Sequence, residues 1–193
     1  MNPSLVGSEM CIRDRFQSRS LGHVNDEEYF GILIEALPNV TEQCRRNRET
    51  KNCIVINSAL VSFDYPDDTV EINLHRRHTA MASVRDLDKN EYPNKIRVKA
   101  ATLTDILTNL KIDKVDAFYL DVEGYELEVL KGIDFSKISV DKIEVEAHYN
   151  IKGINTTRDE AIKTHVDYLA PMGYNYKIVS EAGQHDKIVF TKK

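Results

Sequence analysis

A chain of 193 residues, 41% of them hydrophobic, can bury one sizeable core, so a single domain is expected. Its net charge of −5 excludes the positive surface typical of nucleic-acid-binding proteins, and no apolar run approaches the roughly 18 residues of a membrane span. Three cysteines are too few for a disulfide framework, and the amino terminus lacks a secretory signal. These features predict a cytoplasmic location, with neither nucleic acid nor membrane as a partner.

Residues 1–15, MNPSLVGSEMCIRDR, have neither helical nor alternating hydrophobic periodicity. The string resembles the translated adapter sequence that contaminates some assembled transcriptomes and metagenomes. We therefore expect residues 1–15 to be an artefact, disordered and outside the fold, with residues 16–193 forming a single incomplete domain. The natural protein is then expected to begin with a different segment upstream.

The first strand predicted from the pattern ends in an acidic residue, and a helix follows it. Residues 32–34 are apolar and are followed by Glu35, and Pro38 suits the first turn of a helix that continues to about Arg48. In dinucleotide-binding folds, an acid at the end of the second strand accepts hydrogen bonds from the ribose hydroxyls. Glu35 is therefore a candidate for binding an adenosine cofactor, and the alternative is that it only flanks the helix.

The next part of the chain departs from simple alternation of strands and helices. Residues 53–61, CIVINSALV, predict a buried strand. Residues 69–75 alternate apolar and polar side chains after a turn at 65–68, which predicts a half-exposed hairpin. A further strand is expected over residues 96–100.

Between the last two of these strands lies a polar loop. Its His78 and Ser83 could contact an acceptor, and the alternative is that they are simply solvated. After residue 100, Thr102 and Asp105 have the spacing of a capping box, which predicts the start of a helix that ends at Leu110.

Residues 115–132, VDAFYLDVEGYELEVLKG, are the most informative stretch. Their first six residues predict a strand buried on both faces, and Asp121 and Glu123 follow directly at its carboxyl end. Ligands of open α/β sheets bind at that edge, so both acids are candidates for function. Glu126 and Glu128 are interpreted only as acids that favour the amino end of the next helix.

The same stretch resembles the FkbM-type family of S-adenosylmethionine-dependent methyltransferases, which carries the pattern D-x-E-G-x-E-x-x-x-L-x-G after a hydrophobic strand. The matching residues here are Asp121, Glu123, Gly124, Glu126, Leu130 and Gly132. The similarity extends from about Phe30 to the carboxyl terminus. It implies an α/β fold with the Rossmann-like sheet of class I methyltransferases, and S-adenosylmethionine as the cofactor.

The resemblance also implies roles for residues in the cofactor site. Glu35 takes the place of the family's ribose-binding acid, and Asp121 is counted among the cofactor-binding residues. Asn57, Ser58 and Ala59 are expected near the adenine ring. This last stretch has low specificity, because core residues commonly have the same character.

The carboxyl-terminal part predicts a strand over residues 141–149, a helix, and a hairpin of strands at 176–180 and 187–191. His148 lies at the end of the first of these strands. It shares a rim with Asp121 if the two strands are parallel neighbours. An antiparallel pair closing a parallel sheet resembles class I methyltransferases more than nicotinamide-binding folds.

Methyl transfer to a hydroxyl needs an aligned acceptor oxygen and removal of its proton. Asp121 and His148 are the candidate bases, and His148 has the more suitable ordinary pKa. Glu123 and Glu146 are expected to orient them. A divalent cation held by Asp121 and neighbouring acids is the alternative means of activating the acceptor, and the metal ligands stay open.

One feature departs from the family: the chain contains no G-x-G-x-x-G sequence. We therefore expect the first strand and its glycine-rich loop to be lacking. The leading hypothesis is an O-methyltransferase that acts on a small-molecule or carbohydrate hydroxyl, and the sequence leaves open whether this fragment is active. The alternatives are an NAD-type Rossmann oxidoreductase and a non-catalytic binding module, and no oligomeric state is indicated.

Overall fold

The structure is a computed structural model that describes residues 4–8, 30–48, 52–76, 82, 84, 90, 92–149, 156–182 and 185–193. The strands are β1 (Ser4–Ser8), β2 (Phe30–Glu35), β3 (Cys53–Asn57), β4 (Ala59–Leu60), β5 (Thr69–Leu74), β6 (Asn94–Ala101), β7 (Lys114–Leu120), β8 (Ser139–His148), β9 (Tyr174–Ala182) and β10 (His185–Lys192). The helices are α1 (Pro38–Arg48), α2 (Leu103–Asn109), α3 (Glu126–Leu130) and α4 (Arg158–Leu169), followed by a 3₁₀ turn at Ala170–Met172.

The main sheet has seven strands in the order β3-β2-β1-β7-β8-β10-β9. The first five strands in this order run parallel, and β10 is antiparallel to both of its neighbours. The chain winds outward from β1 in both directions, so the carboxyl ends of β2 and β7 meet at one edge. This reversal of strand order is where ligands bind in such sheets. The predicted terminal hairpin is confirmed.

The central position of the sheet is occupied by β1, which corrects the expectation that the first strand is lacking. Val6 pairs with Ile32 of β2 on one side and with Phe118 of β7 on the other. A gap between those two strands would leave two rows of backbone hydrogen-bonding groups unsatisfied, and a short extended segment satisfies both. Residues 4–8 are therefore not outside the fold. The adapter origin of residues 1–15 stays a prediction, and the rest of that segment lies outside the described residues.

The two faces of the sheet pack against different elements. Ile32 and Ile34 of β2 belong to the larger core, together with apolar residues of α2, α3 and α4. Leu33 points to the opposite face and joins a smaller core with α1, β5 and β6. This alternation along one strand is the two-sided burial that the apolar sequence predicted.

The predicted strand over residues 53–61 is two strands. The chain breaks at Ser58, whose backbone N–H donates to the carbonyl of Glu35 at 3.1 Å, and β4 continues in a separate three-stranded sheet ordered β4-β6-β5. β3 is the edge strand of the main sheet and leaves Ile54 36% exposed. The predicted hairpin is also wrong in its pairing, because β5 pairs with β6 and not across the turn at 65–68. Such pairing between distant segments leaves no local signal.

The predicted cap at the start of α2 is confirmed, and the structure shows further helix-end signals in α4. Thr102 caps α2 by accepting a hydrogen bond from the backbone N–H of Asp105 at 3.0 Å. Thr157 and Glu160 form a capping box at the start of α4. Gly173, with φ of 90°, ends the 3₁₀ turn after that helix, where a left-handed residue is needed.

Within the ranges the structure describes, no helix is both long enough and apolar enough to cross a bilayer.

Gly132 follows α3 at a point of close backbone approach. A Cβ atom at this position would lie 2.2 Å from the carbonyl oxygen of Val61. The carbonyl of Gly132 also accepts hydrogen bonds from the backbone and side chain of Thr104, at 3.2 and 3.0 Å. The last residue of the family pattern therefore lets α3, α2 and the segment after β4 pack together.

We expect Gly132→Ala to lower the free energy of unfolding by about 1–3 kcal/mol, because the added methyl group forces the backbone of Val61 to move. Urea unfolding followed by circular dichroism measures the change. Gly173→Ala is the comparison, since its added Cβ would meet nothing within 4 Å and only the left-handed backbone is strained. A Gly132→Ala protein as stable as the wild type would show that the end of α3 and the segment after β4 can move apart without loss of stability.

Candidate functional site

The carboxyl edge of β2, β4 and β7 carries a cleft with a cavity volume of about 70 Å³. Five residues predicted for the site from the sequence line it: Glu35, Ser58, Ala59, Asp121 and Glu123. The cleft therefore brings the acid after β2 and the acids after β7 to one surface.

Glu35 is held in place at the end of β2. Its Oε1 atom accepts a hydrogen bond from the backbone N–H of Leu37 at 2.8 Å, and the residue is buried. The hydroxyl of Thr41 donates to the Glu35 carbonyl at 3.0 Å, which ties the strand end to α1. The carboxylate thus has a fixed position at the rim of the cleft.

Asn57 does not line the cleft, although it was expected near the adenine ring. Its side-chain nitrogen donates to the carbonyls of Glu35 and Ala36 at 2.9 and 2.8 Å. The structure therefore gives Asn57 a bracing role beneath the turn that carries Glu35. Ser58 and Ala59 do reach the cleft, because the chain turns between β3 and β4.

The turn after β7 has an uncommon backbone conformation. Glu123 has φ of 53° and Gly124 has φ of 92°, so two successive residues are left-handed. This conformation is free of steric cost for glycine and costs another residue roughly 1–2 kcal/mol. The turn is held by Glu126, whose Oε1 atom accepts from the backbone N–H of Gly124 at 2.9 Å and of Val122 at 3.3 Å.

His148, at the end of β8, connects this turn to the next strand. Its Nδ1 lies 3.1 Å from Oε1 of Glu126, and its Nε2 lies 3.6 Å from Oε2 of Glu123. Burial disfavours the charged form of His148, but the hydrogen bond with Glu126 and the charges of Glu126, Glu123 and Asp121 raise the pKa of His148 to about 9. Burial likewise opposes ionisation of Glu126, yet the bond to His148 keeps the pKa of Glu126 below its usual value.

Glu123 has the opposite shift. Burial, with smaller effects from Asp121, Glu126 and Glu146, raises the pKa of Glu123 to about 7 despite the opposing charge of His148. The raised pKa of His148 makes it less available as a base at neutral pH than its ordinary pKa indicates. The pKa of Glu123 lies near neutrality, and the catalytic roles of both residues stay predictions.

Glu146 lies two residues before His148 on the same face of β8 and is buried. It does not line the cleft, and its Oε1 atom lies 3.1 Å from Nε2 of His185. His185 was not recognised in the sequence, because its segment was expected to be a hairpin loop. Glu126 was noticed but interpreted as a helix-favouring acid, since both roles produce the same sequence pattern.

A second cavity, of about 200 Å³, lies on the other side of the turn, between α3 and α4. His148 lines this cavity and Glu123 lines the first one, while Tyr125 borders both. Its wall near α4 includes the polar side chains of Thr156, Thr164 and His165. The ion pair of His148 with Glu123 therefore lies between two cavities.

A family model described as the methyltransferase FkbM domain matches residues 12–176. The match includes both cavities and begins after β1. No curated protein matches the chain.

Three solved structures share the architecture. An FkbM methyltransferase from Methylobacillus flagellatus KT matches at 15% identity and a TM-score of 0.61, over 98% of this chain and 43% of that one. A precorrin-6y C5,15-methyltransferase from Geobacter metallireducens GS-15 matches at 11% identity and a TM-score of 0.52, over 100% of this chain and 82% of that one. A human methyltransferase 10 domain containing protein matches at 9% identity and a TM-score of 0.51, over 100% of this chain and 72% of that one. The fold is thus the Rossmann-like fold of class I methyltransferases, as expected, and the chain spans less than half of the first structure.

We expect Glu123→Gly to be more stable than Glu123→Ala by about 1 kcal/mol, because glycine adopts the left-handed backbone without steric cost. Both variants remove the carboxylate, so the difference between their free energies of unfolding reports the cost of the left-handed backbone conformation alone. Urea unfolding of the two proteins in parallel measures it. Equal stability would mean that the turn relaxes out of the left-handed region when the side chain is removed.

Proposed function

The chain belongs to the FkbM methyltransferase domain family, and we propose on this premise that it transfers a methyl group from S-adenosylmethionine to a hydroxyl of a small molecule or carbohydrate. The observation that carries the proposal is the cleft shared by Glu35 and Asp121 at the reversal of strand order. Because the chain spans 43% of the FkbM structure it matches, the activity of the whole protein is part of the proposal.

The residues of the cleft fit the proposed cofactor. The fixed carboxylate of Glu35 suits a ribose, because a single acid at the end of a strand can accept hydrogen bonds from both ribose hydroxyls. Apolar side chains of Leu60 and Ile72, beside Ser58 and Ala59, offer a surface for the adenine ring. Asp121 lies across the cleft, where its charge favours the cationic part of the cofactor. When bound, S-adenosylmethionine supplies the electrophilic methyl group.

We propose that Glu123 is the base that accepts the proton of the acceptor hydroxyl, because Glu123 lines the cleft beside Asp121. A hydroxyl is a weak nucleophile at neutral pH, and a positioned base contributes typically 10²–10⁴-fold to such reactions. His148 contacts Glu123 from behind and orients its carboxylate. Glu146 lies farther from the cleft and acts, in this proposal, only through its neighbours on β8 and β10.

The lining of the second cavity is consistent with a polar acceptor molecule. Its wall carries hydroxyl, imidazole and carboxylate groups, which suit a ligand with several hydroxyls, and it meets the donor cleft at Tyr125. The turn that carries Glu123 forms the boundary between the two spaces. An acceptor that reaches over this boundary would bring its hydroxyl to Glu123.

We expect Glu35→Ala to weaken S-adenosylmethionine binding by about 10–100-fold, since a charged hydrogen-bond acceptor is lost at the ribose. Isothermal titration of the full chain with S-adenosylmethionine, and separately with NAD, measures the affinity. Circular dichroism should remain unchanged, and Glu35→Gln, which retains an acceptor oxygen for Leu37, controls for the loss of that local contact.

Glu42→Ala on the exposed face of α1 is the matched control, and it should bind as the wild type does. Unchanged affinity in both Glu35 variants would remove Glu35 from the cofactor site. Binding heat with NAD and none with S-adenosylmethionine would contradict the methyltransferase proposal and favour an oxidoreductase. The absence of binding to either would favour a non-catalytic module.

A further inference from the structure

We propose that Glu146, His148 and His185 form a binding site for a divalent transition-metal ion such as Zn²⁺ or Co²⁺. One potential ligand atom from each of the three residues lies within 4.8 Å of those of the other two. Two imidazoles and one carboxylate are a ligand set that such ions take in proteins. The proposal concerns ion binding alone and does not depend on methyl transfer.

Strand register builds the cluster. β10 runs antiparallel to β8 and pairs His185 directly with His148. Side chains alternate along a strand, so Glu146 lies on the same face as His148, one pleat away. The two imidazole rings are neighbours, with centroids 5.5 Å apart and planes tilted by 49°. Two hydrogen-bonded strands therefore position all three ligands.

The distances are close to those around a bound ion. Metal–ligand bonds of roughly 2.0–2.2 Å in tetrahedral geometry place the ligand atoms about 3.3–3.6 Å apart. Oε1 of Glu146 and Nε2 of His185 are already 3.1 Å apart. A ring nitrogen of His148 lies within 4.8 Å of a carboxylate oxygen of Glu146 and of a ring nitrogen of His185.

Glu126 provides an independent observation in favour of a ligand role for His148. Its Oε1 atom lies 3.1 Å from Nδ1 of His148, and the backbone N–H of Gly124 fixes that oxygen at 2.9 Å. A histidine that ligates a metal through one nitrogen commonly donates its other N–H to a carboxylate. Nδ1 of His148 is engaged in this manner, which leaves Nε2 as the ligating nitrogen.

A second group of potential ligands, Asp121, Glu123 and His148, shares the same histidine. Only one of the two groups can use Nε2 of His148 at a time. The group with two imidazoles suits Zn²⁺, Co²⁺ and similar ions, whereas the group with two carboxylates suits harder ions such as Mg²⁺. Asp121 and Glu123 also line the proposed donor cleft, so we assign the ion to the histidine pair.

Titration of the full, tag-free and chelator-treated protein with Co²⁺ tests the proposal, read by visible absorption and by calorimetry. We expect one equivalent to bind with the intense absorption of a four-coordinate site. His185→Ala and His185→Gln should each weaken binding by more than about 100-fold, and Glu126→Gln, which leaves the three proposed ligands in place and weakens the support of His148, by about 10–100-fold. His75→Ala, a histidine outside the cluster, should bind Co²⁺ as the wild type does.

Failure of the wild type to bind Co²⁺ or Zn²⁺, or wild-type binding by both His185 variants, would overturn the proposal. Binding that is lost in Asp121→Asn and retained in His185→Ala would place the ion in the other group, which also overturns it. His185 does not line the donor cleft, so His185→Ala should still bind S-adenosylmethionine. That titration distinguishes failure of the ion site from failure of the proposed function.

Discussion

The candidate site depends on one buried carboxylate, that of Glu126. A single oxygen of this group accepts from two backbone N–H groups of the turn after β7 and contacts the imidazole of His148 at the end of β8. An ionised carboxylate in the interior is costly unless it is paired and hydrogen-bonded, and here both conditions are met. Removing one partner would leave a buried charge uncompensated. The geometry of the turn and the position of the histidine are therefore linked.

That link explains why Glu123 can occupy a left-handed backbone position. Two backbone N–H groups converge on Glu126, which draws the turn into a tight loop and forces the residues inside it to positive φ. Gly124 accepts this freely, and Glu123 does so at a cost. A strained position that carries a charged side chain toward a cleft, where glycine would be more stable, is typical of residues that serve function rather than folding.

The sequence predicted most of the fold because its signals were local. Apolar runs located the other strands of the parallel sheet, and the spacing of Thr102 and Asp105 located the start of α2. The errors arose where pairing is not local. β5 has its partner some twenty residues away in β6, and β1 fills a gap whose existence depends on strands at residues 30–35 and 114–120. No periodicity within five residues can report such a gap.

The candidate site was only partly predictable for a related reason. Acids that end strands are visible in a sequence, and Glu35 and Asp121 do share a cleft. Residues that act by contacting another side chain are not visible in this way. His148 is contacted from three further elements, through Glu126 of α3, Glu123 of the turn and His185 of β10. A substitution at His148 would disturb all three contacts together, whereas His185 touches the group from one strand alone. A substitution at His185 on β10 therefore tests the proposed ion site without changing the donor cleft. A substitution at His148 changes both sites and cannot distinguish them.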